Sequence, residues 1–227
     1  MKSILAIDSS TEVLSLAISS NGMRHIEVEA GARHSEFLMV WIDRLFESAG
    51  IAPKDLGLTI CMKGPGSFTG LRIGYATAKG LSLALGIPFA AIPTLDCIAA
   101  GSSIWPGLVL PVLDAKKNCF FACLYRNGKP LTEYMDADPI TLLSALKPHV
   151  SSDEKVLVTG AGAQLFMSRL ENSGSPDYFL LDPHFLRGRA PELLQFAEKI
   201  INIKFEGLYS GPLYIRKSDA ELNLKPL

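Results

Sequence analysis

LAIDSSTEVLSLAISSNG, residues 5 to 22, and LVLPVLDAKKNCFFACLYRNG, residues 108 to 128, follow one plan. Each opens with an apolar run that ends on an aspartate, Asp8 in the first and Asp114 in the second. Each continues into a strand-like segment: Leu14, Leu16 and Ile18 alternate in the first, and CFFACLY reads as a strand over 119–125 in the second. Each then reaches Asn-Gly, at Asn21-Gly22 and Asn127-Gly128, a hairpin signal because a type I′ turn needs positive φ at both central residues. The aspartate stands 13 residues before the asparagine in both copies, and the copies lie 106 residues apart. In the first copy Ile26, Val28 and Ala30 then alternate with Glu27 and Glu29, which gives a third strand.

The segments downstream repeat as well. The periodicity predicts helix 34–49, strand 57–63, helix 70–86, strand 88–92 and a short helix at 94–103 after the first copy. It predicts helix 139–147, strand 155–159, helix 161–170, a short strand near 178–181 and helix 190–206 after the second. Three antiparallel strands followed by alternating helices and strands, twice over, imply an α/β protein of two duplicated lobes of mixed sheet. Pro106 and Gly107 mark the boundary, giving an N-terminal lobe 1–105 and a C-terminal lobe 106–227. Such duplication suggests the actin-like ATPase (ribonuclease H-like) plan, in which a nucleotide lies between the lobes. The Asp8-Ser9-Ser10-Thr11 turn and the Asp114-Ala115-Lys116-Lys117 turn would then face its phosphates. The same residues can equally end a strand and satisfy their own turn amides.

Composition narrows the function classes. The 227 residues are 48% hydrophobic and 20% charged, with a net charge of −1. A strongly basic nucleic-acid surface is not indicated, and the neighbouring cations Arg187/Arg189 and Arg216/Lys217 read as solvated surface. Cys61, Cys97, Cys119 and Cys123 form no Cys-x-x-Cys pair and read as reduced, largely buried thiols of a cytosolic protein. There is no apolar run of membrane-spanning length, and the first residues start like a strand and not like a signal peptide.

Between the strand at 57–63 and the helix at 70–86 lies KGPGSFTGLRIG, 63–74. It fits neither G-x-x-x-x-G-K-[ST] nor G-x-G-x-x-G, since Thr69 stands where the third glycine would be. Gly64, Pro65, Gly66, Ser67, Phe68, Thr69 and Gly70 therefore read as a structural loop, although its amides could approach an anion at the helix start. Beyond it only Arg72 and Lys79 are charged, and Gly70, Gly74 and Ala78 form a narrow face of small residues. Helix 34–49 spreads Phe37, Leu38, Met39, Trp41, Ile42, Leu45, Phe46 and Ala49 over about 200° of arc at ~100° per residue. A single core stripe needs little more than ~100°. Either this helix is deeply buried in its own lobe or it forms an interface together with helix 70–86.

LAIDSST, RHSEFL, KGPGSFTGLRIG, the Lys79-Gly80 step and the ending PLYIRKSDAE together resemble the TsaB family, also called YeaZ. The resemblance runs over nearly the whole chain and is densest through residues 1–100. It implies an actin-like fold and a part in forming N6-threonylcarbamoyladenosine at position 37 of tRNA. The family is the dimerisation subunit of a complex with the transferase TsaD and the ATPase TsaE, and it meets its partner through first-lobe helices. Carried onto this sequence, that contact falls on Phe37, Leu38, Trp41, Ile42 and Leu45 of the first helix and on Leu71, Gly74, Tyr75 and Ala78 of the second. The paralogue's His-x-x-x-His metal pair corresponds to Thr94 and Ile98 here, so no metal site is expected.

The expectation is a catalytically silent cytoplasmic scaffold that binds and activates TsaD. It homodimerises when TsaD is missing, reaches tRNA only through the complex, touches no membrane and requires no cofactor. Asp8, Ser9, Ser10 and Asp114 would be vestiges of a nucleotide site that retains at most weak ATP or ADP binding. Two rival readings stand beside it. One is an ATPase or kinase using Asp8 and Asp114 around Mg-nucleotide, with Gly160-Ala161-Gly162 near an adenosine. The other is a metal-dependent glycoprotease, for which no nucleophile elbow or histidine-containing triad is visible.

Overall fold

The computed structural model describes residues 2–171, 177–199 and 205–216. The first half runs β1 Ser3–Asp8, β2 Val13–Ser20, β3 Gly22–Glu29, α1 His34–Ala49, β4 Leu56–Gly64, α2 Phe68–Leu85, β5 Phe89–Pro93 and α3 Thr94–Gly101. The second runs β6 Leu108–Asp114, β7 Phe120–Ala122, β8 Tyr125–Arg126, β9 Lys129–Pro130, β10 Met135–Ala137, α4 Pro139–Leu146, β11 Val156–Thr159, α5 Ala163–Glu171, β12 Phe179–Leu181 and α6 Ala190–Lys199. The first sheet has the order β3-β2-β1-β4-β5, antiparallel through β1 and parallel beyond it. The second repeats it as β10-β7-β6-β11-β12, with β8 and β9 extending the hairpin. The duplication read from the two aspartate turns is therefore a duplication of sheets, and the fold is actin-like.

Strand periodicity decides which side chains each layer receives. On the first sheet Leu5, Ile7, Leu14, Leu16 and Ile18 face α1 and α2, packing with Leu38, Ile42, Leu45, Tyr75 and Ala78. The alternate residues Ala6, Ala17, Ile60 and Ala90 face α6, through Ala190, Leu193 and Leu194. Alanines on the adjacent strands β1 and β2 let α6 approach closely. On the second sheet Leu108, Leu110, Val112 and Phe120 pack with Leu142 and Leu146 of α4 and with Phe166 and Leu170 of α5. Val109, Leu113, Cys123 and Tyr125 face Leu95, Ile98 and Ala99 of α3.

The two inner helices are thus exchanged. α3 lies in the first half of the sequence and covers the second sheet, whereas α6 lies in the second half and covers the first. They meet each other where Gly101 faces Glu192 and Arg189, and a Cβ on Gly101 would stand 2.8 Å from Glu192 Oε1. Cutting the chain at 105/106 separates the sheets but strips each of its inner helix.

Several local expectations need correction. α2 begins at Phe68, two residues earlier than the pattern at 70–86, because Ser67 caps it: its Oγ accepts the Gly70 amide at 3.2 Å. CFFACLY is not one strand. The ladder breaks at Cys123 and Leu124, beside the level of β6 where Pro111 has no N–H to give, and Leu124 N turns instead to Thr132 Oγ1 at 3.1 Å. Asn127 (φ 53°) and Gly128 (φ 72°) form the type I′ hairpin, but in the first copy only Gly22 (φ 110°) has positive φ and the ladder already closes on Ser20 and Gly22. Helix 190–206 is shorter than predicted: residues 200–204 lie outside the described residues, and Phe205 is bridged to Ala90 of β5.

Candidate functional site

The glycine loop closes on the chain's own first turn. Ser67 N donates to Ser10 O at 2.7 Å, and Ser9 Oγ donates to Gly70 O at 2.8 Å. A Cβ on Gly66 would lie 2.5 Å from Ser10 O, one on Gly70 2.0 Å from Ser9 O, and one on Gly74 2.1 Å from Ser9 Oγ. Gly64 has φ 113° and sits under Leu213 O. These glycines admit the Asp8-Ser9-Ser10 turn, and the tail behind it, against the start of α2. Pro65, Gly66, Ser67, Phe68 and Leu71 also form one wall of the interlobe cleft, whereas the side chain of Thr69 is exposed.

Asp8 is buried, and both of its carboxylate oxygens accept hydrogen bonds from the chain. Its Oδ1 accepts Ser10 N at 2.9 Å and Ser10 Oγ at 2.6 Å, and its Oδ2 accepts Arg189 N at 2.9 Å. Burial raises its pKa above the ordinary carboxylate value, against the pull of the hydrogen bonds from Ser10 and Arg189. The neighbouring amides are held alike: Gly188 N donates to Glu27 Oε1 at 2.9 Å and Ala190 N to Ser15 Oγ at 3.3 Å. The amino end of α6 is thus docked on three acceptors of the first sheet. Both Asp8 oxygens accept bonds from the chain itself and the residue is 1% exposed, so Asp8 does not line the interlobe cleft as Asp114 does.

The second turn is more open. Asp114 accepts Lys116 N at 2.7 Å and Lys116 Nζ at 2.9 Å. Burial pushes its pKa up, but the bonds and charge of Lys116 outweigh that and hold it below the ordinary range. Lys116, Lys117 and Asn118 all have positive φ, near 58°, 53° and 61°. Three successive non-glycine residues in this region are strained. Lys116 and Lys117 border the interlobe cleft of about 910 Å³, whose walls are mostly apolar, with Leu113, Phe121, Leu165, Leu186 and Leu213 among them. Gly160 and Gly162 pack against β6, where added Cβ atoms would lie 2.7 Å from backbone atoms of Val112 and of Leu113 and Asp114.

Arg187 and Arg189 do not form the solvated surface pair that their sequence suggests. Arg189 is 2% exposed, and its guanidinium donates to Thr159 Oγ1 at 3.1 Å while lying 3.5 Å from Glu192 Oε1. Thr159 Oγ1 in turn donates to Asp182 Oδ2 at 2.7 Å, and Arg187 pairs with Glu192 at 2.9 Å. With its amide on Asp8 and its side chain on β11, Arg189 ties the lobes together. Sequence reasoning missed it; the signal available was Gly188 between two arginines, where a Cβ would stand 2.0 Å from that of Ser15. Arg216 is likewise paired, to Asp136 and to Ala115 O.

The expected interface residues separate into two groups. Leu38, Ile42, Leu45, Leu71, Gly74, Tyr75 and Ala78 are buried within the chain and offer no surface. Phe37 and Trp41 remain half-exposed, with Arg33 over the Phe37 ring at 4.8 Å and Arg44 over the Trp41 ring at 5.0 Å. Residues outside the expected contact set complete the outer face of the pair: Met39, already part of the apolar arc (47% exposed), Val40 (51%) and Leu83 (62%), with Ala76, Gly80 and Ala84 also exposed.

Thr94 and Ile98 are buried in the α3 contact. Among the described residues no group of three or more His, Cys, Asp or Glu comes together as a metal site, and no helix is long and apolar enough to cross a membrane. Cys61, Cys97 and Cys123 are buried, Cys119 is half-buried, and all four are free thiols.

Comparison with known proteins places this geometry. Residues 27–164 match the family model described as TsaD, tRNA N6-adenosine threonylcarbamoyltransferase. The tRNA threonylcarbamoyladenosine biosynthesis protein TsaB of Bacillus subtilis is 30% identical over 221 residues, covering 96% of each chain. A tRNA N6-adenosine threonylcarbamoyltransferase of Thermus thermophilus is 39% identical over 85 residues, 37% of this chain and 26% of that protein. A crystal structure from Pseudomonas aeruginosa, described as similar to the peptidase YeaZ, superposes with a TM-score of 0.76 at 22% identity, over 95% of this chain and 100% of that one. The chain belongs to the TsaB family.

Proposed function

We propose that this chain is a non-catalytic subunit that docks a TsaD-type transferase on the outer face of α1 and α2. There it holds that enzyme in its active form, for N6-threonylcarbamoyladenosine formation at position 37 of tRNA. The observation that carries the reading is the apolar surface left on the helix pair after its core is filled, formed by Met39, Val40 and Leu83 with the flanks of Phe37 and Trp41. The exposed small residues Ala76, Gly80 and Ala84 let a partner helix lie close. The engagement of Asp8 by Ser10 and Arg189 supports catalytic silence. On this reading no cofactor is required, TsaE joins through the complex, tRNA is met only there, and the protein works in the cytoplasm. Without the transferase the same face pairs two copies.

Light scattering on size-exclusion fractions tests this, with the wild type and Val40→Glu each run alone and with the transferase of the same organism. The wild type should self-associate and exchange into a heterodimer, and Val40→Glu should do neither while keeping its circular dichroism. A folded Val40→Glu that still binds the transferase rejects the surface. Tight Mg-ATP binding with turnover in the isolated chain would reject silence and restore the ATPase reading.

A further inference from the structure

After α6 the chain returns across the first lobe as an irregular strap, residues 205–216. It is fixed at its base by backbone and side-chain bonds together. Glu206 N donates to Phe89 O at 2.8 Å, and Glu206 Oε1 pairs with Lys63 at 2.5 Å. The hydroxyl of Tyr75, a buried residue of α2, lies 2.8 Å from Ser210 Oγ and 3.1 Å from Glu206 Oε2, with one proton to donate between them. Lys79, one turn further along α2, donates to Ser210 O at 3.1 Å. The turn itself closes through Ser210 N to Gly207 O at 3.1 Å. Between these anchors, Leu208 is 57% and Tyr209 97% exposed.

A tightly anchored turn that presents leucine and tyrosine to solvent has prepaid the ordering cost of binding, and tyrosine is among the residues that dominate interface energies. Its position selects the occupant. Lys79 and Leu83 are four residues apart on α2, so the turn abuts the stretch of helix surface that exposes Leu83, Gly80 and Ala76. We infer that the Gly207–Ser210 turn is a preformed part of the docking surface, and that the TsaD-type partner proposed for α1 and α2 also covers Leu208 and Tyr209. This rests on the docking reading above and enlarges the surface from two helices to two helices and a strap.

The test is calorimetric titration of the full-length chain with the full-length transferase of the same organism. It compares the wild type, Val40→Glu on α1, and Leu208→Ala/Tyr209→Ala on the strap, with thermal melts of each. Both strap residues are exposed, so the double variant should melt with the wild type. The expected result is binding by the wild type, loss in Val40→Glu, and at least about tenfold weakening in the strap variant. Strap-variant affinity within about twofold of the wild type overturns the inference and leaves the helix reading in place. If Val40→Glu binds normally while the strap variant is weakened, the strap assignment survives and the helix reading fails. Absence of binding by the wild type overturns both.

Discussion

Gly70→Ala and Gly80→Ala make the same change in the same helix, and the structure assigns them opposite signs. In an exposed helix interior alanine is favoured over glycine by about 1 kcal/mol. Gly80 has no atom within 4 Å of a built Cβ, so Gly80→Ala should stabilise by about that amount. At Gly70 the built Cβ lies 2.0 Å from Ser9 O, about 1.3 Å short of an ordinary ~3.3 Å carbon–oxygen contact. The obstacle is a backbone carbonyl in a turn fixed by Asp8, so it cannot swing aside. Overpacking of this kind costs about 3 kcal/mol. Displacing Ser9 also removes its hydrogen bond to Gly70 O, about 1 kcal/mol more. Less the ~1 kcal/mol of helix propensity, Gly70→Ala should lose about 3 kcal/mol. For a chain of this length Tm moves by about 2–4 °C per kcal/mol, so melts should shift about 6–12 °C down for Gly70→Ala and about 2–4 °C up for Gly80→Ala. A Gly70→Ala protein as stable as Gly80→Ala would refute the claim that the loop's glycines exist to admit the Asp8 turn.

Three further outcomes follow from the same contacts. Leu38→Asp should unfold the protein, because it places a charge in the first core, whereas Val40→Glu two residues on should leave the far-ultraviolet spectrum and melt unchanged; equal effects would mean that the inner and outer faces of α1 are misassigned. Arg189→Met should cost about 3 kcal/mol in urea unfolding, at the low end for a broken buried pair because Glu192 keeps Arg187, and should speed amide exchange in both α6 and β11; exchange confined to one of them would contradict its role as a tie between lobes. Burial lowers the pKa of His34, so below the unfolded value of ~6.5 the unfolded chain binds more protons and stability falls with pH; His34→Gln should lessen that fall between pH 7.5 and 5.5, the opposite contribution of Asp8 being common to both proteins, and parallel profiles would refute it.

What was legible in the sequence was whatever local periodicity determines. The two aspartate-ended strands, their alternating partners and the strand–helix succession give both sheets, since alternation fixes which face of each strand is buried. Helix 34–49 agrees with α1 to the residue because Gly50 takes the left-handed cap conformation (φ 64°). The exchange of α3 and α6 was not legible: each carries an apolar face that either sheet could accept, and only the assembled lobes decide. The wide apolar arc of α1 was seen, but a wheel does not say which part of the arc the sheet takes. The sheet takes Leu38, Ile42 and Leu45 and leaves Val40, which a count of apolar residues at core spacing passed over. Pro111 in β6 was a readable warning that the strand opposite would break.

The cation pair at Arg187/Arg189 shows why residue type alone misled. A helix amino end attracts an anion, through its free amides and its dipole. In this chain the anion at α6 is Asp8, a side chain delivered by the end of β1, with Glu27 and Ser15 taking the amides on either side. That choice has two consequences for function. The Asp8 carboxylate is held away from the cleft that Asp114 lines, and the inner helix that carries Arg189 is fixed to the first sheet while its guanidinium grips β11 of the second. Movement of one lobe against the other must then break a buried network of polar and ionisable groups, with Asp8, Arg189, Glu192 and Asp182 among them. A fold so tied is suited to presenting a constant surface, as the docking proposed for α1, α2 and the strap would require.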